Sequence, residues 1–283
     1  MFEVLLLVLV TVPSAVSLLV LLGSRRGLTA VGAAATWSAG VLFALTAVLA
    51  VAVVRLGPVE VVAGDRGEAW IGLHADRLAV LLLALVLGIS ALAQAFAGRY
   101  LSGDPRRAWF VAATGLLTSG SAVLVTAATL LTAAAAWTAA GIGLWLLLRT
   151  YPHLPAARDG AARALRAFAV GDAALWIAVV VATLRWGAVD LRQDVVPAAA
   201  DDRGWAAVVT GLLVVAALTR SAQVPWHRWL PATLAAPTPV SALLHAGVVN
   251  AGGVLLVRLD PVTQHAPAVM AVAVAAGAVT LVY

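Results

Sequence analysis

Ser221-Ala-Gln-Val-Pro-Trp-His-Arg-Trp-Leu-Pro231, running on to Ala236-Pro-Thr-Pro-Val-Ser-Ala-Leu-Leu-His245, sets prolines, a guanidinium and two imidazoles between apolar runs. Pro225 lacks an amide hydrogen and disfavours helix at Val224, so a helix entering from Trp205 must break near Ser221 to Pro225. Carbonyls freed there need donors, and Ser221, Gln223, His227 and Arg228 stand nearest in sequence. Pro231, Pro237 and Pro239 forbid a regular second helix through the connection, while Pro239 suits the first turn of the next one, with Thr238 as its N-cap. His245 then falls six residues on, about 9 Å along the new helix. Beyond it, Gly247, Asn250, Ala251, Gly252 and Gly253 are small enough for close helix approach, and Asn250 can bond across helices.

The flanking sequence is membrane-like. Of 283 residues, 63% are hydrophobic and 11% charged, and the mean hydropathy is +1.02. A soluble domain would carry about 25% charge. Windows of about 20 apolar residues, enough to cross about 30 Å of hydrocarbon, predict helices over residues 2–22, 29–55, 77–98, 108–126, 129–149, 160–186, 205–222, 238–258 and 267–283. The fold class expected is an all-α polytopic membrane protein of about nine crossings with one broken helix. Lipid tolerates interrupted helices and ionisable groups only where protein or a wet cavity surrounds them. The break therefore reads as a site.

Charge and composition narrow the function. The absence of cysteine excludes disulfides, thiolate metal sites and nucleophilic cysteine chemistry. All 18 basic residues are arginine, scattered in short loops, a pattern that speaks of membrane orientation and not of nucleic acid. With the N-terminus outside, eleven arginines fall on the inner side, and the outer loops near 56–76 and 187–203 offset theirs with Glu60, Asp65, Glu68, Asp76, Asp190, Asp194, Asp201 and Asp202. The first run begins at Glu3 with no basic segment before it, so it is expected to remain as a helix and not to be cleaved as a signal. The last run, Ala268 to Tyr283, stops while still apolar, as a short product or a fragment would. No Gly-rich phosphate loop, His-Glu-x-x-His spacing or nucleophile with an adjacent base is present, so no catalytic, metal or cofactor site is expected within this chain.

The stretch from Ser221 to Arg258 resembles the signature of the proton-translocating antiporter-like subunits shared by NADH-quinone oxidoreductase subunit L, the Mrp antiporters and membrane-bound hydrogenases. Its ending, Leu244-His245-Ala-Gly-Val-Val-Asn250-Ala-Gly-Gly253, looks more like the membrane subunit of DAB-type inorganic-carbon pumps. Similarity runs back through Gly171-Asp172, Trp137 and Arg99-Tyr100 to Gly72-Leu-His-Ala-Asp76, covering residues 70–260. The resemblance implies a subunit of about fourteen helices built from inverted repeats around broken helices. This chain would then divide into N-terminal helices and an outer loop over 1–76, the first proton-path repeat over 77–258, and the start of a further helix over 259–283.

Two positions depart from that pattern. An acidic residue expected after Trp137 is replaced by Thr138, and the lysine of the broken helix falls on Arg220, whereas Asp172 and the His245 region are kept. Desolvated lysine can release its proton, but arginine stays charged. Arg220 is thus expected to be a fixed positive charge: a gate, an anion anchor or a counter-ion. The relay groups are then histidines, His227 and His245, whose ordinary pKa near 6.5 suits exchange at physiological pH. Plainer roles exist for each residue: Arg220 snorkelling or capping carbonyls, His227 belonging to an interfacial belt between tryptophans, Asp172 pairing only with Arg166 or Arg220, Trp137 and Thr138 packing, Asp76 and Arg77 marking the interface.

The function implied is a proton-conducting subunit of the cell membrane, in contact with lipid, that couples an ion gradient to a partner. The favoured branch is an inorganic-carbon uptake pump whose zinc-bearing partner subunit converts carbon dioxide to bicarbonate. The alternative is an antiporter-like subunit of an NADH-quinone oxidoreductase or membrane hydrogenase complex, with other respiratory subunits as partners. A non-conducting membrane scaffold is the third reading.

Overall fold

Uncharged runs of leucine, valine and alanine can satisfy their backbone in lipid only as helix, and the computed structural model, which describes residues 1–24, 31–64, 69–192, 199, 201–244 and 248–282, follows that rule. Helices α1 (Phe2–Ser24), α2 (Val31–Leu56), α3 (Arg77–Tyr100), α4 (Arg107–Val125), α5 (Leu130–Leu148), α6 (Pro155–Trp186) and α7 (Arg203–Arg220) are each long and apolar enough to cross a membrane. The chain is a multi-pass helical membrane protein.

Nine crossings were expected, and seven such helices stand among the described residues. The difference lies after the break. Of the span expected over 238–258, α8 (Thr238–Leu243) and α9 (Ala251–Arg258) are described, residues 245–247 between them lie outside the described residues, and the Val249 amide reaches back five residues to the Leu244 carbonyl at 3.0 Å instead of four. α8 opens at Thr238 itself, with no side-chain cap, so Thr238 is not the N-cap. A short α10 (Asp260–Thr263) and α11 (Pro267–Val282) follow.

The two ends of the bundle are built differently. At one end β1 (Val59–Ala63) and β2 (Ile71–Ala75) form an antiparallel hairpin, pairing Val59 with Ala75 and Glu60 with His74. The hairpin is stitched to the next loops by His74 N–H donating to Thr126 O at 2.6 Å and Ala128 N–H donating to Gly72 O at 2.9 Å. Asp76 caps α3 by accepting from the Ala79 amide at 2.7 Å. At the opposite end, Tyr151 donates to the Asp104 carboxylate at 2.6 Å. Burial, then that carboxylate, push the phenol up to about 12, so it remains a donor.

α7 stops at Arg220, Ala222 takes a left-handed φ of 52°, and two 3-10 turns, His227–Trp229 and Pro231–Ala235, carry the chain onward. The expected carbonyl donors were only partly right. Gln223 Nε2 donates to the Ser221 carbonyl at 3.2 Å as expected, but the Thr219 carbonyl takes the Trp229 indole N–H at 2.9 Å, and Ser221 Oγ donates away from the break to Val249 O at 2.8 Å. Trp229 serves because its ring is buried against Phe168, with centroids 5.0 Å apart, so its one donor must find a partner.

Helix α5 can stand close behind the break because α4 and α5 approach backbone to backbone. A Cβ at Gly143 would lie 2.5 Å from the Leu117 amide nitrogen, and one at Gly120 would lie 2.6 Å from that of Ala140. Neither backbone can yield locally. Gly143→Val is expected to destabilise the protein by about 1–3 kcal/mol through overpacking, read as a lowered thermal transition in detergent, whereas valine at Gly253, where no atom lies within 4 Å, should change it little.

Candidate functional site

The end of α7 lies deep inside the bundle. Arg220, 1% exposed, meets Trp137, the eighth of the 19 residues of α5, and Asp172, the eighteenth of the 32 residues of α6. α7 thus ends at the mid-height of its neighbours. The remaining thickness on that side is crossed by the proline-rich turns, the second of which packs on the first half of α6.

Most of the Arg220 guanidinium is held by named partners. Nη2 donates to Asp172 Oδ1 at 2.9 Å and Nη1 to the Trp137 carbonyl at 3.4 Å. Its Cζ lies 4.5 Å from both the Trp137 and the Phe168 ring centroids. Room for it exists because residue 141 is glycine, where a Cβ would sit 2.7 Å from Nη2. A planar, weakly hydrated fork that stacks and donates at once suits this slot better than a lysine point charge. Arg220 Nε and Trp137 Nε1 are buried and make no hydrogen bond to a described residue.

The predicted residues separate into groups. Arg220 and Asp172 meet directly, and Arg166 does not take the Asp172 carboxylate: its Nε reaches the Ala162 carbonyl on its own helix at 3.4 Å. Trp137 contributes its ring and its carbonyl. Thr138 turns aside, accepting from the Trp176 indole N–H at 3.0 Å, and so ties α5 to α6. His227 lines an open cavity beside Arg163, Arg166 and Arg228. Asn250 stands exposed at the start of α9, its carbonyl accepting from Val254. His245 lies outside the described residues.

Sequence reasoning missed a second charged constellation, at the hairpin end. Arg192 donates to both oxygens of Asp190 at 2.6–3.1 Å and to Glu60 Oε2 at 3.0 Å. Glu60 Oε1 meets His74 Nδ1 at 3.2 Å. Arg258 donates to Asp76 Oδ2 at 2.8 Å and to the His74 carbonyl at 2.9 Å. Six residues drawn from four places in the chain thus lock the hairpin, the 190–192 turn and the end of α9. Asp76, read from sequence as an interface marker, is both a helix cap and an ion-pair partner. The available signal was the hairpin register, which sets Glu60 opposite His74; the contacts of Asp190 and Arg258 needed the folded chain. Burial, with Arg258 nearby, lowers the His74 pKa from its ordinary 6.5 against the pull of Asp76 and Glu60. The Asp190 hydrogen bonds raise that of Arg192.

A family model described as NADH:quinone oxidoreductase/Mrp antiporter, TM, matches residues 127–283. A second, described as NADH-ubiquinone oxidoreductase (complex I), chain 5 N-terminus, matches residues 67–111. The chain is 34% identical over 220 residues to the probable inorganic carbon transporter subunit DabB1 of Halothiobacillus neapolitanus, across 76% of this chain and 39% of that protein. It is 31% identical over 213 residues to NADH-quinone oxidoreductase subunit L of Mycobacterium tuberculosis, across 75% of this chain and 34% of that protein. It therefore spans little more than a third of the length of these relatives. The structure of the Mrp complex from Dietzia sp. DQ12-45-1b superposes with a TM-score of 0.75 and 28% identity, over 93% of this chain and 29% of that one.

Removing one member of a buried ion pair strands the other charge, so Asp172→Ala is expected to cost about 3–5 kcal/mol, measured by thermal unfolding in detergent against wild type. At the hairpin, a histidine with a depressed folded pKa gives stability that is full above pH 6.5 and is lost as pH falls through the lower folded value. Amide protection factors at Gly72 and Leu73, corrected for intrinsic rates, should drop as pH is taken below 6.5, and His74→Gln should flatten that dependence.

Proposed function

Because this chain belongs to the NADH:quinone oxidoreductase/Mrp antiporter transmembrane family, we propose that it is an antiporter-like, proton-conducting membrane subunit that couples an ion gradient to a partner. The observation that carries this reading is the Arg220–Asp172 pair at bundle mid-height where a helix is interrupted, its guanidinium fully buried and its carboxylate part-exposed. Burying a guanidinium in that position costs several kcal/mol, which favours a functional charge over a plain scaffold.

In this reading Arg220 does not carry the proton. Its guanidinium stays charged, and Asp172 neutralises part of its field. A proton arriving on a group about 8 Å away would be raised by about 2 kcal/mol at an effective dielectric of 20, enough to bias passage without blocking it. Movement of Asp172 towards or away from Arg220 changes that bias, which makes the pair a gate. His245 and His227 supply the exchanging sites, and the buried Arg220 Nε and Trp137 N–H offer polar contacts beside the lane. The N-terminus faces outward from the cell membrane, as the arginine distribution favours.

The finer assignment is to an inorganic-carbon uptake pump with a zinc-bearing partner subunit. The ending after His245, Thr138 in place of a carboxylate, and the similarity to DabB1 support it. The alternative, a subunit of an NADH-quinone oxidoreductase or membrane hydrogenase complex, is supported by the 31% identity to subunit L. Copurification with mass spectrometry separates the two: a large zinc-motif protein marks the first, respiratory subunits the second.

Flux across proteoliposomes tests conduction itself. His245→Ala should lower proton flux by about ten-fold or more, corresponding to a barrier raised by at least about 1.4 kcal/mol, and Arg220→Lys should preserve or raise it. Equal flux from wild type and His245→Ala would remove the histidine path and leave the scaffold reading.

A further inference from the structure

A cavity of about 890 Å³ opens between the first half of α6 and the proline-rich turns, on the side of the bundle away from the hairpin. Its walls carry Arg163 and Arg166 from α6, and Trp226, His227 and Arg228 from the turns. No carboxylate lines it, and among the described residues none of these three guanidiniums forms an ion pair. Cations gathered around a cleft without counter-charges create a positive field that favours an anion.

Its depth and surroundings say which anion. Arg166 and Arg163 precede Asp172 by six and nine residues, or about 9 and 13 Å along α6, so their long side chains reach the level at which a bilayer of about 30 Å hydrocarbon thickness gives way to headgroups. On α6 the two arginines head a stripe that continues at helical spacing through Val170, Ala173, Ile177, Val180 and Leu184, all exposed. Charge above and an open apolar strip below match a phosphodiester headgroup carrying acyl chains. Trp226 adds an amphipathic ring at the same level, where headgroup belts place tryptophan.

We propose that this cavity is a binding site for one anionic glycerophospholipid, its phosphate held by Arg163, Arg166 and Arg228 and its acyl chains laid on the exposed face of α6. The cavity floor leads directly to the buried pair. Trp229, which follows Arg228, stacks edge-on against Phe168, and Phe168 lies 4.5 Å from the Arg220 guanidinium. A lipid seated there fixes the position of the turns that close the broken helix. Basic pockets between transmembrane helices are suited to such headgroups. The inference stands apart from the proton-path reading, since the lipid is held whether or not the chain conducts.

Native mass spectrometry of the full chain in detergent, titrated with phosphatidylglycerol or with phosphatidylcholine, tests it. Each arginine at an anionic headgroup contributes about five-fold, so wild type should retain one phosphatidylglycerol with at least about ten-fold preference over phosphatidylcholine. The preference should fall about five-fold in Arg228→Gln and vanish in the Arg163→Gln/Arg166→Gln/Arg228→Gln variant, while Arg158→Gln, outside the cavity, keeps it. The single variant reads the effect if the triple one does not fold. Equal retention of both lipids by wild type, or an undiminished preference in Arg228→Gln and in a folded triple variant, would overturn the proposal. Displacement of the lipid by millimolar inorganic phosphate would make this a free-anion site, and displacement by a short oligoglutamate peptide would make it a protein-docking site; either outcome also rejects the lipid.

Discussion

A guanidinium cannot sit unaccompanied in hydrocarbon, and the centre of this protein is arranged around that fact. Arg220 closes α7 at the mid-height of α5 and α6, where water does not solvate it, and these two helices supply what the solvent would have given. Asp172 answers the charge, the Trp137 carbonyl takes a second N–H, and two aromatic faces hold the plane. Gly141 gives the room. A break in a transmembrane helix elsewhere would only expose carbonyls. Here it delivers a permanent charge to a fixed depth.

The same economy links the two charged regions. Helix α9 is only eight residues long, yet it is held at both ends. Just before its start, the Val249 carbonyl accepts from Ser221, the first residue after α7. At its end, Arg258 is bound to Asp76 and to the His74 carbonyl. The break and the hairpin lock are therefore joined by one short helix, with a polar anchor at each end.

Much of this was legible in the chain. Composition and apolar run length give the helical membrane class, and Pro225 with its neighbours gives the position of the break, because both depend on local physics: hydration cost and a missing amide hydrogen. The pairing of Arg220 with Asp172 was one of the partnerships open from sequence, but the rings around it were not, since Phe168 and Trp137 enter through helix rotation set by the whole core. The hairpin constellation joins residues up to 184 positions apart, as Arg258 is from His74, and no spacing rule reaches that far.

The most direct measurement of the central claim is the coupling free energy between Arg220 and Asp172 from a thermodynamic cycle of Arg220→Met, Asp172→Leu and the two combined, read by thermal unfolding. Two charges that neutralise one another in a buried site must be strongly non-additive, so the combined variant should be more stable than either single one, because it leaves no stranded charge. Losses that simply add would contradict the account and place the two groups in separate, solvated surroundings.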